Sequence, residues 1–225
     1  MKKKRIKVKA VIFDMDGVIT HTMPYHYRAW QIVLKEEGIV VNYESIYKQE
    51  GQPGLEFTEQ ILYSKYRNSE LRLKAKEILS KKEDVFKKLV KQRFVVGSRN
   101  FVKELHRKDF RLGLVTGTAR HELHKILPDN IYKLFHAVVT GNDVKRGKPH
   151  PEPFEKSLSM LKLKPHEAVV IENAPFGICS AKQAGIQCLA LETSLSRKFL
   201  KEADHVFANI QELRERILFE NANHE

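Results

Sequence analysis

Ala10-Val11-Ile12-Phe13-Asp14-Met15-Asp16-Gly17-Val18-Ile19-Thr20 is the stretch that decides the fold. A continuous apolar run that stops at two acids and a glycine reads as a strand buried on both faces and ending in a sharp turn. With the residues before it, the strand is expected over Lys7–Phe13. Similar short runs recur at Arg111–Val115, Ala137–Thr140, Ala168–Ile171, Gln187–Leu191 and His205–Phe207. Helical patterns alternate with them at Ser98–Lys108, with Ser98 as N-cap, and at Ala119–Leu127, Pro151–Leu163, Pro175–Ala184 and Ser194–Lys201. The alternation implies an α/β fold, a doubly wound and mostly parallel Rossmann-like sheet with right-handed crossovers.

Between the first and second strands lie about a hundred residues without a strand signal. They carry helical patterns at Tyr25–Glu37, Tyr43–Gln49, Leu55–Tyr66 and Ser69–Arg93, with Gly51-Gln52-Pro53-Gly54 as a turn. A crossover needs only about a dozen residues. An all-helical cap domain is therefore expected at residues 21–95, inserted into a core made of 1–20 and 96–225. Ligands of open α/β sheets bind beyond the carboxyl ends of the strands, at the topological switch point. An insertion leaving the end of the first strand is placed to cover that site, with hinges near Thr20–Met23 and Val95–Ser98.

The 225 residues are 42% hydrophobic, enough for a real core, and no apolar run reaches the ~18–20 residues that span a bilayer. The stretch Met1-Lys2-Lys3-Lys4-Arg5 looks like a signal n-region, but Asp14 and Asp16 cut the apolar run that follows. Cys179 and Cys188 have neither the spacing nor the companions of a zinc site and read as free thiols. A soluble, unexported, cytoplasmic and monomeric protein is expected. The net charge of +12 is concentrated, with six basic residues in Lys2–Lys9 and nine, against three acids, in Arg72–Arg93. The second run has helical spacing, with Leu71, Ile78, Val85, Leu89 and Phe94 as its apolar stripe, so its lysines read as a solvated face. No zinc-finger spacing or aromatic RNA-binding signature accompanies the charge, and nucleic acid is an unlikely partner on these grounds.

The chemistry gathers at strand ends. Asp14 and Asp16 leave a buried strand and cannot both face an apolar core. Such a pair suits a cation, a nucleophile with its acid/base partner, or both. The second strand ends in Thr116-Gly117, where a turn into a helix offers free N–H groups to an anion. After the third comes Gly147-Lys148-Pro149, a rigid turn that fixes one ammonium. The fourth ends in Glu172-Asn173. Two carboxylates, a hydroxyl, an ammonium and further oxygen ligands at one sheet edge amount to a phosphate-and-Mg²⁺ site. The bland alternatives are turn or cap roles for Asp14, Asp16 and Thr116, and a surface position for Lys148. His26 suits packing as well as substrate binding, and His21 and His150 read as bystanders.

The motifs Asp14-x-Asp16-Gly17-Val18-Ile19-Thr20, Thr116-Gly117, Gly147-Lys148-Pro149 and Glu172-Asn173 with Gly177, in this order, resemble the haloacid-dehalogenase-like superfamily of phosphoryl-transfer enzymes. The continuation Tyr25-His26-Tyr27-Arg28-Ala29-Trp30 is most similar to its β-phosphoglucomutase branch. The resemblance implies a phosphoric monoester hydrolase in which Asp14 attacks phosphorus and forms an aspartyl phosphate, while Asp16 acts as acid and base. It implies Mg²⁺ bound by Asp14, the Asp16 backbone carbonyl, Glu172 and Asn173. Thr116 and Gly117 would bind the phosphoryl group, and Lys148 would offset its charge.

Two departures matter. The last motif of the family carries two acids where this chain has Glu172-Asn173, which removes one charge and implies weaker Mg²⁺ binding. The cap segment Glu50-Gly51-Gln52-Pro53-Gly54-Leu55-Glu56 has no basic residue for the distal phosphate that a mutase must hold; Lys87 or Lys88 could contribute instead. A phosphatase acting on a small phosphorylated metabolite, such as a sugar phosphate, therefore ranks above a phosphosugar mutase. The reading from another class is a weakly active or non-catalytic relative that binds nucleic acid through its basic surface.

Overall fold

Successive side chains of the central strands go to opposite faces of the sheet, and both faces are buried. Val11 and Phe13 join one apolar cluster, and Ala10 and Ile12 join the other. The computed structural model describes residues 3–222; Met1 and Lys2 of the basic N-terminal run lie outside them. The chain begins with β1 (Lys4–Val8) and β2 (Ala10–Asp14), continues through the helices α1 (Met23–Glu36), α2 (Tyr43–Tyr47), α3 (Gly54–Leu62) and α4 (Asn68–Leu89), and returns through α5 (Ser98–Arg107). Then follow β3 (Arg111–Val115), the short α6 (Leu123–Ile126) and α7 (Asp129–Tyr132), β4 (Ala137–Val139), α8 (Glu152–Leu161), β5 (Ala168–Glu172) and α9 (Pro175–Gln183). The last elements are β6 (Gln187–Leu191), β7 (His205–Phe207), α10 (Ile210–Arg216) and β8 (Ile217–Asn221).

Six strands form one parallel sheet in the order β4-β3-β2-β5-β6-β7. From β2 the chain steps outward through β3 and β4, then crosses back to β5 on the other side of β2. That reversal puts the switch point at the carboxyl end of β2, where Asp14 stands. Helices α1 to α4 share an apolar cluster of their own, in which Trp30 meets Phe57 edge to face with ring centres 5.1 Å apart.

Four expectations are corrected. The stretch Lys7–Phe13 is not one strand: the ladder breaks at Lys9, whose N–H donates to the Glu167 carbonyl and whose carbonyl accepts from Arg111. The segment before the break, β1, pairs in parallel with β8, a strand absent from the sequence reading. Ser98 is not the N-cap of α5; Gly97, at φ 84°, holds that place, and the Ser98 hydroxyl donates to the Ile19 carbonyl at 2.7 Å. The helix expected over Ala119–Leu127 is a 3-10 turn at Arg120–Glu122 followed by the four residues of α6, which Pro128 stops. The helix expected over Ser194–Lys201 reduces to a single 3-10 turn at Arg197–Phe199.

Part of each basic run is neutralised within the fold. Arg5 pairs with Glu220, and Lys9 with Glu167. On α4, Arg72 pairs with Glu59, Lys74 and Lys81 with Glu77, and Lys87 with Glu122. Cys179 is half-buried and Cys188 buried; both are free, and burial pushes the Cys188 thiol up. No helix among the described residues is long and apolar enough to cross a membrane.

Candidate active site

Register sets the site. Asp14, the last residue of β2, lies opposite Val115, and Phe13 lies opposite Ile171. Thr116 and Glu172 therefore emerge beside Asp14 at the ends of the two flanking strands. Lys148 arrives from the loop between β4 and α8 and is 2% exposed. Its ammonium donates to Asp14 Oδ1 at 2.6 Å and to Glu172 Oε1 at 2.7 Å. Glu172 uses its other oxygen, Oε2, to accept from the N–H groups of Asn173 and Ala174 at 2.7 and 3.0 Å. Glu172 is thus the brace that aims Lys148 at Asp14. Gly177 makes room for it: a Cβ there would lie 1.6 Å from Glu172 Oε1.

Asp16 is held separately. Its Oδ1 accepts from Thr22, and its Oδ2 from Thr116 and Thr118 at 3.3 and 3.2 Å. Gly17, at φ 85°, turns the chain there. His26 Nε2 lies 3.6 Å from Asp16 Oδ1, and its ring stacks on Phe86 with centres 4.0 Å apart. The Lys82 ammonium donates to His26 Nδ1 at 3.0 Å, which assigns the ring proton to Nε2, facing Asp16.

The carboxyls have different environments. Burial, with the Glu172 and Asp16 carboxylates, pushes Asp14 up to about 8 against the pull of Lys148. Asp16 lies below its ordinary value: burial raises it, but His26, Thr22 and Thr118 together outweigh that. Burial, and then the Lys82 charge, lower His26. Glu50, from the loop after α2, is raised well above its ordinary value by burial and by Asp14, Asp16 and Glu172.

A cavity of about 550 Å³ opens onto these groups. Asp14, Asp16 and Gly117 form its floor, and the helical segment supplies Trp30, Glu50, Lys82 and Phe86. All the expected site residues thus gather at one sheet edge, but the helix N-terminus expected after Thr116-Gly117 does not exist. The Arg120 N–H, which such a helix would have offered, goes to Asn142 Oδ1 instead. Thr22, Thr118, Glu50 and Lys82 join the site without having been singled out from the sequence. Lys82 holds a place in the buried row Ala75, Ile78, Lys82 and Phe86 of α4, where i, i+4 spacing was the available signal.

The donor set fits a hard divalent cation. Buried Asp14 Oδ2 and Asn173 Oδ1 have no hydrogen-bond partner among the described residues, and oxygen is the ligand Mg²⁺ takes. No group of three His, Cys, Asp or Glu side chains suited to a metal occurs among those residues, so carboxamide and backbone oxygens would have to share in the shell.

The comparisons with known proteins agree on one family. The model of the haloacid dehalogenase-like hydrolases matches residues 11–191. A phosphorylated carbohydrates phosphatase of Thermotoga maritima is 31% identical over 80% of this chain and 83% of its own length. The β-phosphoglucomutase of Bacillus subtilis is also 31% identical, over 80% of this chain and 81% of its own. A solved structure from Bacteroides vulgatus, assigned as a β-phosphoglucomutase, superposes with a TM-score of 0.82 at 31% identity, covering 94% of this chain and 88% of that one.

Proposed function

The chain belongs to the haloacid dehalogenase-like hydrolase family and is a phosphatase; from this we infer that it hydrolyses small phosphorylated metabolites, sugar phosphates foremost, with Mg²⁺. The observation that carries the reading is Asp14: one carboxyl oxygen is held by Lys148, and the other is buried, unpartnered and at the edge of the cavity. Asp14 is the nucleophile: one of its carboxyl oxygens bonds to phosphorus as the bond from phosphorus to the leaving oxygen breaks, giving an aspartyl phosphate that water then hydrolyses. Lys148 offsets the charge that builds between carboxylate and phosphoryl group. A bound cation, held by Asp14, Asn173 and the Asp16 carbonyl with Glu172 close by, would neutralise further charge on the phosphoryl oxygens.

Asp16 must carry a proton to the leaving oxygen, yet its present donors favour the ionised form. Two of these donors, Thr116 and Thr118, stand where a phosphoryl group would claim them. Once the substrate takes those hydroxyls, Asp16 loses two hydrogen bonds and its carboxyl rises toward the protonated range. His26, neutral and with Nε2–H toward Asp16, steadies the carboxyl through the cycle. In this reading residues 21–95 act as a cap over a core of 1–20 and 96–225, and close the cavity against water.

The mutase alternative has one observation in its favour. Lys82 is a buried ammonium on the helical side of the cavity, with no carboxylate among the described residues in ion-pair range, and could receive a second anionic group. A screen of phosphorylated sugars, nucleotides and short acids for Mg²⁺-dependent phosphate release decides between the two. Free phosphate as the main product supports the phosphatase. Conversion of glucose 1-phosphate to glucose 6-phosphate that depends on a bisphosphate would overturn it.

Burial lowers Lys82 from 10.5 to about 8. A lysine whose folded pKa lies below its unfolded value costs stability while charged; the cost is full below about pH 8 and fades as pH rises to about 10.5. At about 1.4 kcal/mol per unit, it is on the order of 3 kcal/mol. Lys82→Met is expected to raise stability at pH 7 by up to that amount, with the gain fading toward pH 10.5, and to lower turnover at least about tenfold, since an ammonium costly to bury acts on the substrate's anionic end. Urea melts at the two pH values, with steady-state kinetics, check both.

A further inference from the structure

Buried Asp14 Oδ2, Asn173 Oδ1 and Glu50 Oε1 have no hydrogen-bond partner among the described residues. The first two belong to the sheet. The third comes from the helical segment, on the loop that follows α2. Its companion oxygen, Glu50 Oε2, accepts from Asn173 Nδ2 at 3.3 Å, so the carboxyl and the carboxamide are in contact. Ser194 Oγ accepts the other Nδ2 proton at 2.7 Å. Both protons are thereby used on one side of the amide, and Oδ1 faces the other way. Gly17 makes room for the amide, since a Cβ there would lie 2.2 Å from Nδ2, and the two acceptors Glu50 Oε2 and Ser194 Oγ fix which way it points.

The charges need a partner. Four carboxyls meet at this strand end: Asp14 and Glu172 on the Lys148 ammonium, Glu50 on the Asn173 amide, and Asp16 two residues beyond Asp14. Lys148 is already divided between Asp14 and Glu172. An acid at position 173 would have added a further charge on the sheet; Asn173 instead leaves room for a carboxylate from the opposite side. We propose that Glu50, through Oε1, is a ligand of the divalent cation held by Asp14 and Asn173. It restores the charge that Asn173 lacks and makes the cation a bridge between the helical segment and the sheet. The proposal rests on the Mg²⁺-dependent reading above and extends it to a residue outside the four strand-end motifs.

Calorimetric titration of the metal-free, full-length protein with MgCl₂ tests it, together with the rise in Tm that saturating Mg²⁺ produces. Carboxylate count sets the affinity of such sites. Glu50→Gln, nearly isosteric, is expected to weaken Mg²⁺ binding by about ten- to a hundredfold and to shrink the Mg²⁺-induced rise in Tm. Glu50→Asp, which keeps the charge on a shorter arm, should fall between. Adding Asn173→Asp to Glu50→Gln should recover most of the lost affinity. If Glu50→Gln binds Mg²⁺ as tightly as the parent while Asp14→Asn binds it weakly, Glu50 is no ligand and the Mg²⁺-dependent phosphatase reading stands. Equal affinity in the parent, Glu50→Gln and Asp14→Asn would overturn both. Lost affinity without recovery in the double variant would overturn the charge-replacement role.

Discussion

Asp14→Asn is expected to lower the turnover of p-nitrophenyl phosphate by about 10⁴-fold or more, the scale seen when an enzyme loses its covalent nucleophile. The carboxamide keeps the shape of the side chain but has no charge to attack phosphorus and one oxygen fewer for a cation. Lys148 keeps Glu172 as a partner at 2.7 Å, so the site should not collapse. The same variant carries a stability signature. Burial raises Asp14 from 3.8 to about 8, so the folded state binds this proton more tightly than the unfolded state does. A raised acid loses stability as pH climbs from about 4 through 8. Metal-free Asp14→Asn should lack that decline, and at pH 8 it should melt above the metal-free parent. A variant that turns over like the parent would remove Asp14 from the nucleophile's place.

Lys148→Met should damage both stability and rate. The ammonium is 2% exposed and lies within 2.7 Å of Asp14 Oδ1 and Glu172 Oε1. Removing it leaves Asp14 and Glu172 buried without the cation they share, and breaking a buried pair in this way costs about 3–5 kcal/mol. Turnover should fall by about 10²- to 10³-fold, as when one preorganised group facing the developing charge is lost. A urea melt and a p-nitrophenyl phosphate assay measure the two effects separately. If the variant proves as stable as the parent, the electrostatic role of Lys148 fails.

Much of the site was legible because it lies at strand ends. Asp14, Thr116 and Glu172 each follow an apolar run that could only be a buried strand, and parallel strands in register deliver their next residues to one edge. Lys148 follows the same logic from the loop after β4. Other residues were hidden because what they touch lies far along the chain. Lys82 sits in a run of lysines and reads as one more solvated charge; only the packing of α4 turns it inward onto His26, 56 positions away. Glu50 stands in a segment with no motif, and it meets Asn173 across 123 positions. The β1–β8 pair escaped for a similar reason, since it joins the two ends of the described chain. Lys4 and Arg5 also read as part of a signal-like n-region, whereas β1 turns Ile6 and Val8 into the core.

The sequence by itself determined the class of the fold, the order along the chain of the six strands of the main sheet and the four motifs at its carboxyl edge. Those depend on period, on breakers and on residue chemistry, all of which are local. The tertiary structure alone decided how the oxygens and ammoniums are shared: Glu172 spends its oxygens on Lys148 and two N–H groups, and Asp16 on three threonines. It also brought Lys82 and Glu50 from the helical segment to face the sheet. Which lone pair stays free is set by distances between segments remote in the chain, and no local pattern encodes such a distance.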